Sequence, residues 1–168
     1  RHTAVPAASS WGDGGYYRVW LNGTNDDMVS KISRANTAHV RAVRTFGRTV
    51  LERRALAQMG RELLLAQSSD WPFIATTAQG IRPYAKEKVE KFLSRFWGIY
   101  HALQKKDLSP KSLETLEEDD NVFPWLTATP WRRRWARRRI EACDDMGVKA
   151  VGPFMAFAWW DLKLKNAE

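Results

Sequence analysis

Between Pro83 and Lys105 the apolar residues Val89, Phe92, Leu93, Phe96, Ile99, Tyr100 and Leu103 recur at steps of three and four. That spacing lines one face of a helix with about 3.6 residues per turn, whereas a strand alternates faces at every residue. A stripe this long must be covered by other elements, and the rest of the chain supplies candidates of the same kind. Asn25 or Asp26 can cap a helix whose apolar residues Met28, Ile32, Ala35, Val43 and Phe46 follow the same steps, apart from one longer gap spanned by His39. Leu51, Leu56, Met59, Leu63 and Leu64 mark a second helix from about Thr49 to Gln67. Ser68-Ser69-Asp70 breaks it, and Ser69 or Asp70 can cap a short turn that starts at Trp71-Pro72. Ser109-Pro110 and Thr129-Pro130 each place a hydroxyl cap before a proline, the arrangement that suits a first helical turn. They predict a short acidic helix to about Asp119 and a further helix from Trp131 to about Asp145, while residues 147–168 fit strand or helix equally. Ahead of all this, residues 1–24 carry turn chemistry (Pro6, Gly12, Gly14, Gly15, Asn22-Gly23), with a short extended piece possible at Tyr16–Leu21. The predicted fold is all-α, a bundle of four to five helices preceded by a Gly/Trp-rich loop.

Composition narrows the function classes. With 168 residues, 44% of them hydrophobic and 27% charged, the chain reads as an ordinary globular domain, not a disordered or low-complexity segment. The longest apolar run, Val151 to Trp160, falls short of the ~18 residues of a membrane span. A single cysteine, Cys143, precludes an internal disulfide framework and a multi-cysteine zinc site. His2, His39 and His101 are scattered and show no ligand spacing, so neither a metal nor a cofactor is expected, and His39 and His101 read as core or surface residues of helices. Ser68-Ser69-Asp70-Trp71 lacks the glycines of a nucleophile elbow. The chain opens on Arg1 with no secretory pattern, which predicts a cytoplasmic protein that is a processed product or the downstream piece of a longer one. Asn22-Gly23-Thr24 matches a glycosylation sequon and in that setting reads as a turn.

Two constellations could carry function. Arg132, Arg133, Arg134, Arg137, Arg138 and Arg139 interleave with Trp131 and Trp135, which share a helix face at i, i+4. With a net charge of +8, this cluster suits nucleic acid or an anionic membrane surface, and it equally suits a helix docked by its two tryptophans with arginines in solvent. Part of the charge has an internal match, because residues 31–62 are basic and residues 107–120 are acidic. The second constellation is Trp11-Gly-Asp-Gly-Gly-Tyr-Tyr17 with Trp20. It is not a phosphate loop, since it lacks Gly-Lys-Ser/Thr. Glycines let the loop turn sharply and let a ligand approach the backbone, and flanking indoles offer flat apolar surfaces with an N–H donor at the edge. A sugar ring, with one C–H face and a rim of hydroxyls, matches such platforms. A tight turn anchored by its own aromatics explains the same residues.

Read together, three phrases go further. Ser9-Ser10-Trp11-Gly12-Asp13-Gly14-Gly15-Tyr16, running on to Val19-Trp20-Leu21-Asn22, resembles the start of the C-terminal helical domain of glycoside hydrolase family 57 α-glucan branching enzymes. Arg61-Glu-Leu-Leu-Leu-Ala-Gln-Ser-Ser-Asp-Trp-Pro-Phe-Ile74 resembles that family's last signature region, and Asn121-Val122-Phe123-Pro124 resembles its closing phrase. Their order and spacing also fit. The resemblance implies an enzyme that cuts an α-1,4 glucan, holds the fragment covalently and transfers it to a 6-hydroxyl, making an α-1,6 branch in glycogen synthesis. Retention of configuration needs two carboxylates ~5 Å apart. In the family these lie on a (β/α) barrel that precedes this region, so the resemblance implies a domain with no catalytic residue of its own, inactive alone. It also implies that the domain covers the barrel's mouth and lines the acceptor side of the cleft. By the same resemblance Trp11 and Trp20, nine residues apart, are the cleft tryptophans, with Tyr16 beside them, and Asp70 and Trp71 contact or brace the cleft. The implied partners are an α-glucan and the upstream barrel. The sequence departs from the family pattern at Asp26-Asp27-Met28, and beyond Trp125 nothing matches. The domain is therefore placed at 1–125, with 1–24 as cleft loop and 25–125 as bundle, followed by an Arg/Trp-rich extension over 126–168. Two alternatives stand beside this reading: an independent basic module that binds a polyanion through Arg132–Arg139, and an interaction domain that docks onto a separately encoded barrel.

Overall fold

A computed structural model describes Gly14 and residues 17–132. The helices are α1 (Asp26–Thr45), α2 (Val50–Ala66), α3 (Asp70–Thr77), α4 (Arg82–Lys105), α5 (Pro110–Asp119) and α6 (Thr129–Arg132), with a 3-10 turn at Gln79–Ile81 before α4. Among the described residues there is no strand, and the fold is the expected all-α bundle. Trp11, Tyr16 and Arg133–Arg139 lie outside the described residues, as does most of the predicted Trp131–Asp145 helix.

Local chemistry accounts for the boundaries. The Thr49 hydroxyl accepts from the Glu52 amide at 3.1 Å, and the Glu52 carboxylate accepts from the amides of Thr49, Arg48 and Gly47. This capping box starts α2 one turn after α1 ends, with Gly47 at φ 102° making the bend. The Thr49 amide, then those of Arg48 and Gly47, hold the Glu52 carboxyl below the usual carboxylate range. α4 ends on Lys106 at φ 59°, where the Asp107 amide reaches back to the Ala102 carbonyl at 3.1 Å. Ser109 caps α5 through the Ser112 amide, with Pro110 at the first helical position.

Two local expectations change. Residues 17–21 are not extended: Tyr17 adopts φ 64°, and its carbonyl accepts from the amides of both Trp20 and Leu21. Asn25 precedes α1, yet its side chain bonds no helical amide, because it is committed to a long-range contact described below.

α2 packs most extensively on α4, and α1 covers both. The core contains Ile32, Ala35 and Val43 from α1, Leu56, Met59 and Leu63 from α2, and Val89, Phe92, Leu93, Phe96, Ile99 and Leu103 from α4. These follow the predicted stripes, whereas Tyr100, Leu51, Leu64 and Phe46 sit half-buried at the rim. Ala55, Ala66, Ala75 and Ala85 are fully buried where short side chains let the helices approach. α3 lies across α4 and α5 against α2. Charge matching between the basic and acidic segments occurs at Arg54, which grips Glu117 through two bonds of 3.1 and 2.5 Å. The acids at the end of α5 pair instead with α4, where Arg95 bonds both Asp119 and Asp120. Among the described residues, no helix is long and apolar enough to cross a membrane.

Candidate functional site

Thr76 and three residues more than fifty positions before it, Val19, Asn22 and Asn25, fix one end of the bundle. The Thr76 hydroxyl, on α3, donates to the Val19 carbonyl at 2.8 Å. It accepts from the side-chain amides of Asn22, at 2.9 Å, and Asn25, at 3.2 Å. Asn25 is fully buried, and its oxygen accepts from the Asn22 amide at 3.0 Å. One hydroxyl thus ties the 17–25 turn to α3. The bonds are satisfied on both sides, as buried polar groups require. The consequence is positional. Trp20 is carried against Phe73, with ring centroids 6.3 Å apart and planes inclined at 38°.

α3 also carries the other predicted residues. Asp70, in its first turn, is exposed, and its carboxylate accepts from the Ser68 hydroxyl at 2.8 Å. Trp71 is half-buried between Tyr84 and Phe92 of α4, and its indole N–H donates to the Leu65 carbonyl at 2.7 Å. That N–H is therefore unavailable to a ligand, and Trp71 serves as the wedge that sets α3 on α4. Of the predicted site residues, Asp70 and Trp71 stand in the first turn of α3, and Trp20 reaches the same helix through Phe73. Leu21, Ile81 and Tyr84 add exposed apolar surface there, and Lys88 lies 5.2 Å over the Tyr84 ring. The resulting face combines aromatic surface, a carboxylate with one oxygen unpaired among the described residues and backbone turns, which is chemistry for holding a ligand by stacking and hydrogen bonds. Phe73, Tyr84 and Thr76 were not singled out from the sequence. Phe73 stood in plain view within Trp71-Pro72-Phe73, but the hub role of Thr76 has no local signature.

Three buried polar side chains of α2, Gln58, Arg61 and Glu62, form a second cluster. Arg61, largely buried, donates to the carbonyls of Val122 and Pro124 at 3.1 and 2.9 Å, and to the Gln58 side chain at 3.0 Å. Gln58 in turn donates to Glu62 at 2.9 Å and to the Leu116 carbonyl at 3.0 Å. Arg61, which opens one of the sequence phrases, thereby bonds Val122 and Pro124 of the closing phrase. The arginine staples the closing segment to α2. Glu62 is fully buried, and burial pushes its carboxyl up to about 7, with the Gln58 bond opposing and the nearby Asp120 charge adding to the rise.

His39 is fully buried between Phe96 and Trp131, with the Trp131 ring 4.7 Å away edge to face. Neither ring nitrogen has a hydrogen-bond partner among the described residues, and desolvation lowers its pKa to about 3. It is a core residue, as its helical setting suggested. Trp131 also closes on Gly60, where a Cβ would stand 3.0 Å from the indole edge. Of the two readings of the Arg/Trp segment, Trp131 fits the docked one, while Trp135 and Arg133–Arg139 lie outside the described residues. Among the described residues no group of three His, Cys, Asp or Glu is placed to hold a metal.

Comparison with known proteins places this arrangement. Residues 31–131 match the family model described as the C-terminal region of 1,4-alpha-glucan branching enzymes. A 1,4-alpha-glucan branching enzyme of Thermococcus kodakarensis is 32% identical over 136 residues, covering 78% of this chain but 20% of that protein. The crystal structure of the GH57-type branching enzyme from Pyrococcus horikoshii superposes with a TM-score of 0.67 at 28% identity, covering 75% of this chain and 24% of that one. The alpha-amylase AmyC from Thermotoga maritima gives a TM-score of 0.58 at 30% identity, over 67% of this chain and 22% of that one. The chain thus spans about a fifth of the length of the curated relative it matches.

Proposed function

The chain belongs to the family of 1,4-alpha-glucan branching enzyme C-terminal domains, and from that premise we propose that it supplies the glucan-holding wall of such an enzyme, built from the 17–25 turn and α3. The whole enzyme would transfer an α-1,4-linked segment to a 6-hydroxyl, with the reacting carboxylates on a separate barrel. This domain would bind glucan and close the cleft. Transfer has to outrun hydrolysis, so the acceptor must be held and water displaced, and an aromatic wall does both. In this reading Trp20 is the stacking platform, Phe73 its backing, Asp70 an acceptor for sugar hydroxyls, and Trp71 a brace. Trp11 and Tyr16 would extend the same wall.

One observation carries the reading: the Thr76 hub ties the 17–25 turn to α3 and seats the half-buried Trp20 on Phe73, three residues after the exposed Asp70 on the same helix. Detached from a barrel, such a wall contacts only one side of its ligand, so binding in the millimolar range, about 4 kcal/mol, is expected. The test is a maltoheptaose titration of the chain followed by tryptophan fluorescence. Wild type should saturate, and Trp20→Ala or Asp70→Ala should weaken the curve several-fold with the fold intact by circular dichroism. A wild-type curve insensitive to both substitutions removes this face from glucan binding.

A further inference from the structure

The far half of α4 carries a second aromatic surface that the proposed cleft wall does not use. Trp97 and Tyr100 meet edge to face, with centroids 5.3 Å apart and planes at 89°, and the exposed His101 ring stacks on Trp97 at 5.9 Å. The two rings form one wall of an open groove of about 390 Å³ between α4 and α1. The opposite wall is polar: Ser33, Arg34, Thr37 and Arg41, which repeat at helical spacing along α1. Arg34 and Arg41 are exposed and form no ion pair among the described residues. Lys31, one turn earlier on α1, is already paired with Asp27 and Glu90. The Trp97 ring is half-buried, and its indole N–H makes no hydrogen bond to another described residue, whereas that of Trp71 is bonded to the Leu65 carbonyl.

We infer that this groove is a second α-glucan-binding site, separate from the α3 face. Its two walls match the two aspects of a pyranose: an aromatic corner for the C–H face, and guanidinium, hydroxyl and indole donors for the ring and hydroxyl oxygens. The groove volume falls in the range of small-ligand sites. Tyr84, at the edge of the α3 face, lies thirteen residues before Trp97 on the same helix. At ~1.5 Å per residue the two surfaces stand ~20 Å apart, too far for one short oligosaccharide subsite to serve both. A long glucan can engage both at once, and the second contact then raises the effective concentration of the chain near the cleft. The inference rests on the glucan reading of the family and adds a site to it.

Indole N–H resonances of the full chain, recorded during maltoheptaose titration, separate the possibilities. Trp97 is assigned by the signal lost in Trp97→Phe, and Trp20 and Trp71 likewise. The expected result is a saturable shift at Trp97 that persists in Trp20→Ala and weakens about tenfold in the doubly substituted Arg34→Ala, Arg41→Ala chain. Both arginines are exposed, so that variant keeps the fold. A shift at Trp20 with none at Trp97 overturns the second site and leaves the α3 reading standing. No shift at any indole overturns both. A shift at Trp97 produced by a single-stranded oligonucleotide and not by maltoheptaose, falling steeply with salt, makes the groove a polyanion site and overturns the inference.

Discussion

Replacing Glu62 by glutamine should stabilise the domain at neutral and alkaline pH. Glu62 is fully buried on α2, one oxygen bonded by Gln58 at 2.9 Å, and its carboxyl faces that of Asp120, an acceptor it can bond only when protonated. Burial raises its carboxyl from 4.5 to about 7, and the Asp120 charge pushes the same way. Between those values the folded chain holds a proton that the unfolded chain has released, so stability falls as pH rises through this window. At ~1.4 kcal/mol per pH unit of pKa difference, the loss above pH 7 is about 3 kcal/mol. Glutamine keeps the acceptor for Gln58, removes the titrating group, and presents an N–H toward Asp120 as the protonated acid would. At pH 4.5 the variant should match wild type within about 1 kcal/mol, and at pH 8 it should exceed it by about 3 kcal/mol. In urea unfolding with a slope of about 1.5–2 kcal/mol/M, that is a midpoint shift of roughly 1.5–2 M. The difference between variant and wild type, measured at each pH, cancels every group that titrates alike in both. A difference that stays flat from pH 4.5 to 8, or a variant less stable at pH 8, would refute the burial argument.

Three further outcomes follow from the same contacts. His39 stays neutral in the fold down to about pH 3, so wild type loses stability as pH falls below 6.5; His39→Leu should remove about 2 kcal/mol of that loss at pH 5 relative to pH 7.5, read from thermal unfolding at the two pH values. Arg61→Met strips the Val122 and Pro124 carbonyls of their donor and should cost about 2–4 kcal/mol, with faster amide exchange confined to residues 121–126 if the staple acts locally. Thr76→Val keeps the volume and deletes the hub; about 1–2 kcal/mol of stability should go, together with a red shift of Trp20 emission, and an unchanged emission spectrum would mean that the 17–25 turn is held by something else.

The bundle was legible because its determinants are local. The three-and-four spacing of Val89 to Leu103 needs only neighbours in sequence, and α4 buries those residues as the stripe dictates. Ser109-Pro110 opens α5 for the same reason. Asn25 shows where local reading stops. A cap residue and a long-range hub residue look identical in sequence, and only the approach of Thr76, 51 positions away, decides between them. Tyr17 is similar: an extended piece is possible at Tyr16–Leu21 from sequence, whereas Tyr17 adopts a left-handed turn in a loop that closes onto α3. At the candidate face, Trp20, Asp70 and Trp71 were found through the phrases they sit in, not through any property of a lone residue. Their contacts separate their roles: the Trp71 N–H is bonded to the Leu65 carbonyl, and Trp20 rests on Phe73. The burial of Arg61 and Glu62 has no local signature, because charged residues on a helix ordinarily face solvent; it follows from where α5 and the closing segment land.

The central claim is that the 17–25 turn and α3 together form a glucan-holding wall. Hydrogen–deuterium exchange of the chain, with and without millimolar maltoheptaose, tests it without any substitution. The account predicts slower exchange in peptides covering residues 17–25 and 68–77. Protection absent from both segments at a sugar concentration that saturates the fluorescence titration would contradict it.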